Sequence, residues 1–232
     1  MDEPLSTGEI LARAVAYPYE APLASFVQRD GQARRLDPGA LELEGRRPLL
    51  AYGSNASPAI LTGKLAAHPH QPLPMLRAEL VGFDIVYSAH ISAYGSVPST
   101  LQRSPGTTVP AFVAYPTTEQ EELLTATEPP NYALHRLHDL DLRTELGPVK
   151  SLDAYLSRHG CLILDGSEVA LAAIEAAQRQ FPSLGEVEVL ERVRHVLAPE
   201  LDLESFVASS LDPGLAAART AVLRGAARPL IH

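Results

Sequence analysis

Four stretches in the middle of the chain carry strand-like patterns. Leu49–Tyr52 is a short apolar run that breaks at Gly53-Ser54-Asn55. Ala78–Tyr87 and Val109–Tyr115 are longer, and Pro110 near the start of the latter suits a strand beginning or a sheet edge. Ala133–Leu142 alternates, with Leu134, Arg136, His138, Leu140 and Leu142 set against Ala133, His135, Leu137 and Asp139. Helix patterns surround these strands. Ser6 or Thr7 caps a short helix carrying Ile10, Leu11 and Val15 on one side. Ser57 followed by Pro58 starts a helix directly after the Gly-Ser-Asn turn. Thr117 or Thr118 caps another, whose first turn is acidic and whose apolar residues are Leu123 and Leu124. It must stop before Pro129-Pro130. Ser167 caps an alanine-rich helix over Glu168–Gln180, a further helix runs from about Glu186 to Leu197, and Asp212-Pro213 opens another.

The patterns divide the chain into an N-terminal extension (1–46), a core (47–150) and a mainly helical C-terminal region (151–232) packed on that core. Strands with few interposed helices predict an α+β fold, with a small mixed β-barrel as its core. The length suits one large domain. A net charge of −9, with 19 basic residues scattered among 28 acidic ones, argues against nucleic acid as partner. Cys161 is the one cysteine, which fits a reducing compartment. Met1-Asp2-Glu3-Pro4 has no signal-peptide character, and no apolar run reaches membrane-spanning length, so a soluble cytoplasmic protein with no membrane partner is expected. The oligomeric state is not readable from the sequence.

Candidate chemistry concentrates at two places. Gly53 lets backbone approach a ligand, Asn55 tolerates left-handed geometry, and the N–H groups of such a turn suit an anion or oxyanion. Glu128 stands at the end of a short helix before a Pro-Pro turn, where the helix dipole disfavours a carboxylate, and Tyr132 follows it. A carboxylate facing an apolar pocket there would be driven toward the range useful for proton transfer. The other constellations are weaker. His68-Pro69-His70 and the pair His135 and His138 lack convergent partners for a metal. Cys161, beside the apolar run Leu162–Leu164, reads as a small hydrophobe, and a Cys161-dependent hydrolase is the third reading. The polar loop Ser88–Pro105 suits a rim or lid, or a solvated connection. Its Arg103 is the cation placed to meet the α-carboxylate of an amino-acid-like substrate.

Taken together, Tyr52-Gly53-Ser54-Asn55, Pro105-Gly106 before a strand, and Glu128 then Tyr132 after a leucine-bearing helix resemble the gamma-glutamylcyclotransferase-like superfamily over about residues 48–145. The resemblance implies a small mixed β-barrel with a pocket at one end and a small-molecule gamma-glutamyl substrate. It implies that Tyr52, Gly53, Ser54 and Asn55 cradle the gamma-glutamyl part, that Glu128 is the general acid/base, and that Tyr132 shapes the pocket. The reaction it implies releases 5-oxoproline by intramolecular attack and needs neither a metal nor an organic cofactor. Two positions depart from the family pattern Leu-Asp-x-x-Glu-Gly: Thr125 stands at the aspartate and Pro129 after the glutamate. A non-catalytic binding module on the same fold is the alternative.

Overall fold

The structure is a computed structural model that describes residues 5–37 and 41–230. The N-terminal tetrapeptide read above lies outside the described residues. In chain order the elements begin with α1 (Thr7–Val15), β1 (Phe26–Arg29), β2 (Gln32–Arg35) and β3 (Leu49–Ala51). A 3₁₀ turn at Gly53–Ala56 leads into α2 (Pro58–Lys64), followed by β4 (Leu73–Tyr87), β5 (Ser99–Ala114) and α3 (Thr118–Ala126). Next come β6 (Tyr132–Leu137), β7 (Asp141–Thr144), β8 (Gly147–Val149) and β9 (Leu152–Ser157). Four two-residue strands follow: β10 (Ile163–Leu164), β11 (Ser167–Glu168), β12 (Ala170–Leu171) and β13 (Ser183–Leu184). The chain finishes with α4 (Glu186–Leu197), α5 (Leu203–Ser209) and α6 (Pro213–Gly225).

One mixed sheet organises the molecule. Its spine is the long antiparallel pair β4–β5, in register from Met75 opposite Ala114 to Tyr87 opposite Ser99, with an irregularity between Val81 and Phe83. Gly82 sits at that irregularity with φ +83°, a conformation that side chains resist. β3 lies between β5, to which it is antiparallel, and β9, to which it is parallel, and β6 closes the far side. The other edge of β4 is shared along its length by β1, β7 and β12. The ladder runs β13-β12-β4-β5-β3-β9-β6 and does not return on itself. The barrel expected from the sequence is therefore an open mixed sheet. The helices make up for the missing closure by covering it.

Alternation along the strands sends apolar side chains to two separate cores. Leu50, Leu76 and Val113 pack with Val189 and Val193 of α4, Phe206 of α5 and Leu223 of α6. Their neighbours Leu49, Ala51, Met75 and Phe112 pack with Leu61 of α2 and Leu124 of α3. A sheet covered on both faces explains why Leu49-Leu50-Ala51 is apolar without a break. α2 and α3 share the second core, and that places their ends side by side.

Local signals hold at most helix starts. Ser6 and Glu9 form a capping box on α1, and Thr117 and Gln120 do so on α3. Asp202 caps α5 and Asp212 caps α6, the latter followed by Pro213. The expected helix over Glu168–Gln180 does not form. That segment instead feeds the sheet: Ala170 N–H bonds the Pro182 carbonyl at 2.8 Å, and Ala177 and Thr108 exchange bonds of 2.9 and 3.0 Å. Alanine supplies helix propensity worth a few tenths of a kcal/mol per residue, and an open sheet edge outweighs it. The C-terminal region is thus strand and turn as far as Leu184 and helical only from Glu186. The strand expected to start at Val109 begins at Ser99, because Thr100, Gln102 and Ser104 are buried on the sheet despite their polarity. The alternating stretch Ala133–Leu142 splits at Asp139, whose φ is +53°. No described helix is long and apolar enough to cross a membrane.

Candidate functional site

β3 delivers its C-terminal end to a cavity of about 450 Å³. Tyr52 is extended, and Gly53 then turns the chain with φ +57°. A Cβ at Gly53 would come within 2.5 Å of Tyr17 Oη and 2.6 Å of Ser99 Oγ, so both the space and the backbone angle demand glycine. The 3₁₀ turn that follows points Ser54 and Asn55 at the cavity. The helix α2 then returns Lys64, in its last turn, to the same place.

α3 brings the acid. Its C-cap is Thr127, and the next residue, Glu128, opens a turn in which its carbonyl accepts from the N–H groups of Asn131 and Tyr132, both at 3.1 Å. Pro129 and Pro130 are solvent-exposed, so the donor that proline lacks goes unmissed. Glu128 itself is only 8 % exposed. Its Oε1 accepts from Lys64 Nζ at 2.9 Å and from Asn55 Nδ2 at 3.2 Å. Lys64 Nζ also donates to Asn55 Oδ1 at 2.8 Å, closing a triangle of three side chains. The expected apolar surround of this carboxylate is thus replaced by a cation and an amide. Thr125, at the position where the family pattern has aspartate, shares a 2.7 Å hydrogen bond with Tyr155 Oη.

Six of the eight tyrosines line the cavity, so its walls are aromatic faces joined by tethered phenols. Tyr52 Oη donates to the Tyr155 carbonyl, and Tyr132 Oη donates to the Ser99 carbonyl at 2.8 Å. Tyr17 Oη accepts from Ser99 N–H at 2.8 Å and shares a 2.7 Å bond with Ser99 Oγ. Burial pushes the Tyr155 phenol up to about 12 and also raises Tyr17, Tyr52 and Tyr132 well above the ordinary phenol range. These groups stay neutral at any ordinary pH. They shape the cavity and do not act as bases.

The structure gathers Tyr52, Ser54, Asn55, Glu128 and Tyr132 around one cavity, with Gly53 as the hinge behind them. Arg103 does not join them. It is exposed on β5 and stacks on the Phe83 ring at 4.4 Å, because the irregularity at Gly82 lays it over β4. The cations that line the cavity among the described residues are Lys64 and Arg13, whose guanidinium stacks 3.8 Å over the Tyr94 ring. Sequence reasoning missed both, and it missed His90. Lys64 is seven residues into a helix that begins beside Asn55, so helical periodicity carried a signal for it. Nothing local marks Arg13 or His90, which reach the cavity only through packing.

The weaker candidates stay apart. His70 Nδ1 pairs with Asp30, and His138 is exposed beyond the end of β6. Among the described residues no group of three or more His, Cys, Asp or Glu side chains converges as metal ligands would. Cys161 is fully buried, and burial pushes its thiol up to about 12, which removes the thiolate a nucleophile needs.

Comparison with solved structures finds several weak matches. The chain is similar to a gamma-glutamyl cyclotransferase. The two are 13 % identical over 81 % of this chain and 90 % of that one, with a TM-score of 0.40. An uncharacterised Homo sapiens protein matches at 14 % identity over 82 % of this chain and 92 % of its own, with a TM-score of 0.39. An Arabidopsis thaliana protein matches at 14 % identity and a TM-score of 0.37 over 48 % of this chain, which spans 62 % of that protein's length. No family model matches the chain, and no curated protein matches its sequence.

Proposed function

We propose that this chain is a gamma-glutamyl cyclotransferase-type enzyme that releases 5-oxoproline from a gamma-glutamyl peptide or amine. One observation carries the reading: a buried carboxylate, Glu128, in the wall of a cavity, held 3.2 Å from the amide of Asn55 in the Gly-Ser-Asn turn. In this reading the substrate's α-amine attacks its own γ-carbonyl carbon. The new C–N bond closes a five-membered ring, and a tetrahedral oxyanion forms. The old C–N bond then breaks and the amine departs. Glu128 takes the proton from the attacking nitrogen and returns it to the leaving one. Because the reaction is intramolecular, holding the folded conformer does much of the work, and the tyrosine-walled cavity supplies that restraint. In this reading the backbone N–H groups of the Gly53-Ser54 turn are the donors assigned to the developing oxyanion. Arg13 at the rim takes the carboxylate-binding part expected of Arg103. With a single buried thiol, the protein suits the reducing cytoplasm.

The ion pair of Glu128 with Lys64 favours a second reading, a binding module on the same fold. A carboxylate already matched by an ammonium is a good permanent structural pair. The deciding assay is 5-oxoproline release from a panel of gamma-glutamyl peptides and amines, with Glu128→Gln alongside. Loss of one general acid/base lowers turnover by about 10²–10⁴-fold. Release by the wild type and not by the variant supports the enzyme. Binding of 5-oxoproline without turnover of any panel compound supports the module, and equal release by both proteins rules out the role given to Glu128.

A further inference from the structure

A second hollow, of about 470 Å³, adjoins the candidate site, and Ala93 and Asn131 line both. Its volume is that of an ordinary small-molecule site, roughly 300–1,000 Å³. Ala93 is exposed and offers only a methyl group, so little side chain stands between the two where it sits. α6 supplies one wall through Ala217, Thr220, Ala221 and Arg224. The loop after β4 is fixed against that helix, because Ile91 N–H donates to Thr220 Oγ1 at 3.1 Å. α6 lies outside the stretch that resembles the superfamily, and the reaction proposed above uses none of it.

Most polar side chains around the hollow are engaged within the fold. Thr220 accepts from Ile91, Ser210 Oγ donates to the Phe206 carbonyl at 2.8 Å, and His159 Nδ1 is sealed from solvent. Two side chains are not engaged. Asn131 Oδ1 is 3.0 Å from His159 Nε2, so the ring nitrogen donates and the amide's own Nδ2–H groups have no partner among the described residues. The Arg224 guanidinium likewise has no hydrogen bond or ion pair among the described residues. It is exposed, and it lines the hollow but not the cavity that holds Glu128. Its charge is felt at His159, whose imidazole is pushed down by burial and by this guanidinium. No Asp or Glu lines the hollow among the described residues, so Arg224 sets its charge.

We infer that the hollow is a subsite for the leaving part of the substrate, and that this part is an apolar peptide segment with a free carboxylate. Asn131 donates to its first carbonyl as it crosses from the cavity, the alanines of α6 receive its apolar side chain, and Arg224 meets its terminal carboxylate. As a leaving-group subsite the hollow rests on the proposed reaction; as a peptide-binding site it does not. The free donors decide between substrate classes. A gamma-glutamyl amine has neither carbonyl nor carboxylate beyond the scissile bond and leaves both donors unused. A leaving part that ends in an ammonium meets Arg224 with like charge, which selects against it.

Two measurements on the full-length protein test this. The first is independent of turnover: a nitrogen-15 NMR titration with the free dipeptide alanyl-leucine. Amide shifts at Ala93, Asn131, Ala217 and Arg224 are expected, and their absence up to the solubility limit of the peptide overturns the hollow as a peptide site even if the enzyme turns over. The second is 5-oxoproline release from gamma-glutamyl-alanine, from gamma-glutamyl-alanyl-leucine and from the C-terminal amide of the latter. The wild type should favour the free-acid tripeptide in kcat/KM by about 10-fold, the size of one charge-assisted contact weakened by water. Arg224→Gln should remove that preference through KM with kcat nearly constant, and leave the other two substrates within about 2-fold. Ala217→Trp, which fills the hollow from an exposed position, should slow both tripeptides and spare gamma-glutamyl-alanine. Equal kcat/KM for all three substrates in the wild type, or an Arg224→Gln loss of the same size on each, overturns the leaving-group assignment. Amide shifts without release from any of the three keep the peptide site and overturn the proposed reaction, and the leaving-group role with it.

Discussion

Replacing Lys64 by methionine tests the geometry of the site most directly. Lys64 and Glu128 are 17 % and 9 % exposed at their side chains, so water screens neither well. At 2.9 Å their attraction is about 6 kcal/mol at an effective dielectric near 20. Desolvating each ion costs several kcal/mol, which takes back most of that gain. Methionine keeps the packing of the lysine stem, so what the variant loses is the charge. Glu128 then keeps only the Asn55 amide, and leaving a buried charge so poorly matched costs about 2–3 kcal/mol, below the value for a fully buried pair. For a chain of 232 residues that lowers Tm by roughly 4–12 °C. The informative experiment is the double-mutant cycle with Glu128→Gln, read by urea unfolding. Lys64→Met alone should lower the midpoint with m unchanged, and the double variant should recover at least about 1 kcal/mol of the summed losses. Losses that add to within about 0.5 kcal/mol would mean that the two groups do not interact, and the triangle with Asn55 would have to be abandoned.

Other consequences follow from the same geometry. Gly53→Ala puts a methyl group against Tyr17 and Ser99 at a φ of +57°, and should lose about 2–4 kcal/mol in thermal or urea unfolding; a change under 0.5 kcal/mol would refute the close approach. Arg13→Ala should raise KM for gamma-glutamyl substrates by about 10-fold with kcat nearly constant, while Arg103→Ala should leave both near wild type; the reverse pattern would return the carboxylate to Arg103. Glu186 is buried at the start of α4, accepts from Val97 N–H at 2.7 Å, and its Oε2 has no partner among the described residues. Burial holds its carboxyl well above the usual carboxylate range, so the folded state binds a proton that the unfolded state gives up. Stability from this group is therefore complete below the unfolded value and is lost as pH rises from about 4.5 toward the raised folded value. Glu186→Gln should flatten that decline, with Tm gaining more at pH 8 than at pH 4.5, and equal gains at both would contradict it.

Much of the site was legible because its parts obey local rules. An apolar run ending in Gly-Ser-Asn, then Ser-Pro, can be read as strand, turn and helix without knowing what surrounds them, since glycine's free φ and proline's fixed one act within a few residues. The end of α3 was legible for the same reason: Pro129-Pro130 cannot continue a helix, so Glu128 had to stand at its exit. The Asp30-Gly31 turn between β1 and β2 carries an equally local signal, with both residues at positive φ.

What local rules do not contain is which exits meet. Lys64 reaches Glu128 because α2 and α3 bury Leu61 and Leu124 in one apolar core, and only that shared burial brings their ends together. Arg103 and Arg13 exchange places for a like reason: the irregularity at Gly82 lays one over Phe83, while α1 carries the other to Tyr94. The failed helix over Glu168–Gln180 shows the limit from the other side, because a weak preference per residue yields to backbone groups that need partners at a sheet edge. By itself the sequence determined the turn, the caps and the two elements that end in Asn55 and Glu128. The tertiary structure decided their distance, the ammonium between them and the histidine beside them, since burial and pairing belong to surfaces that exist only once the chain has folded.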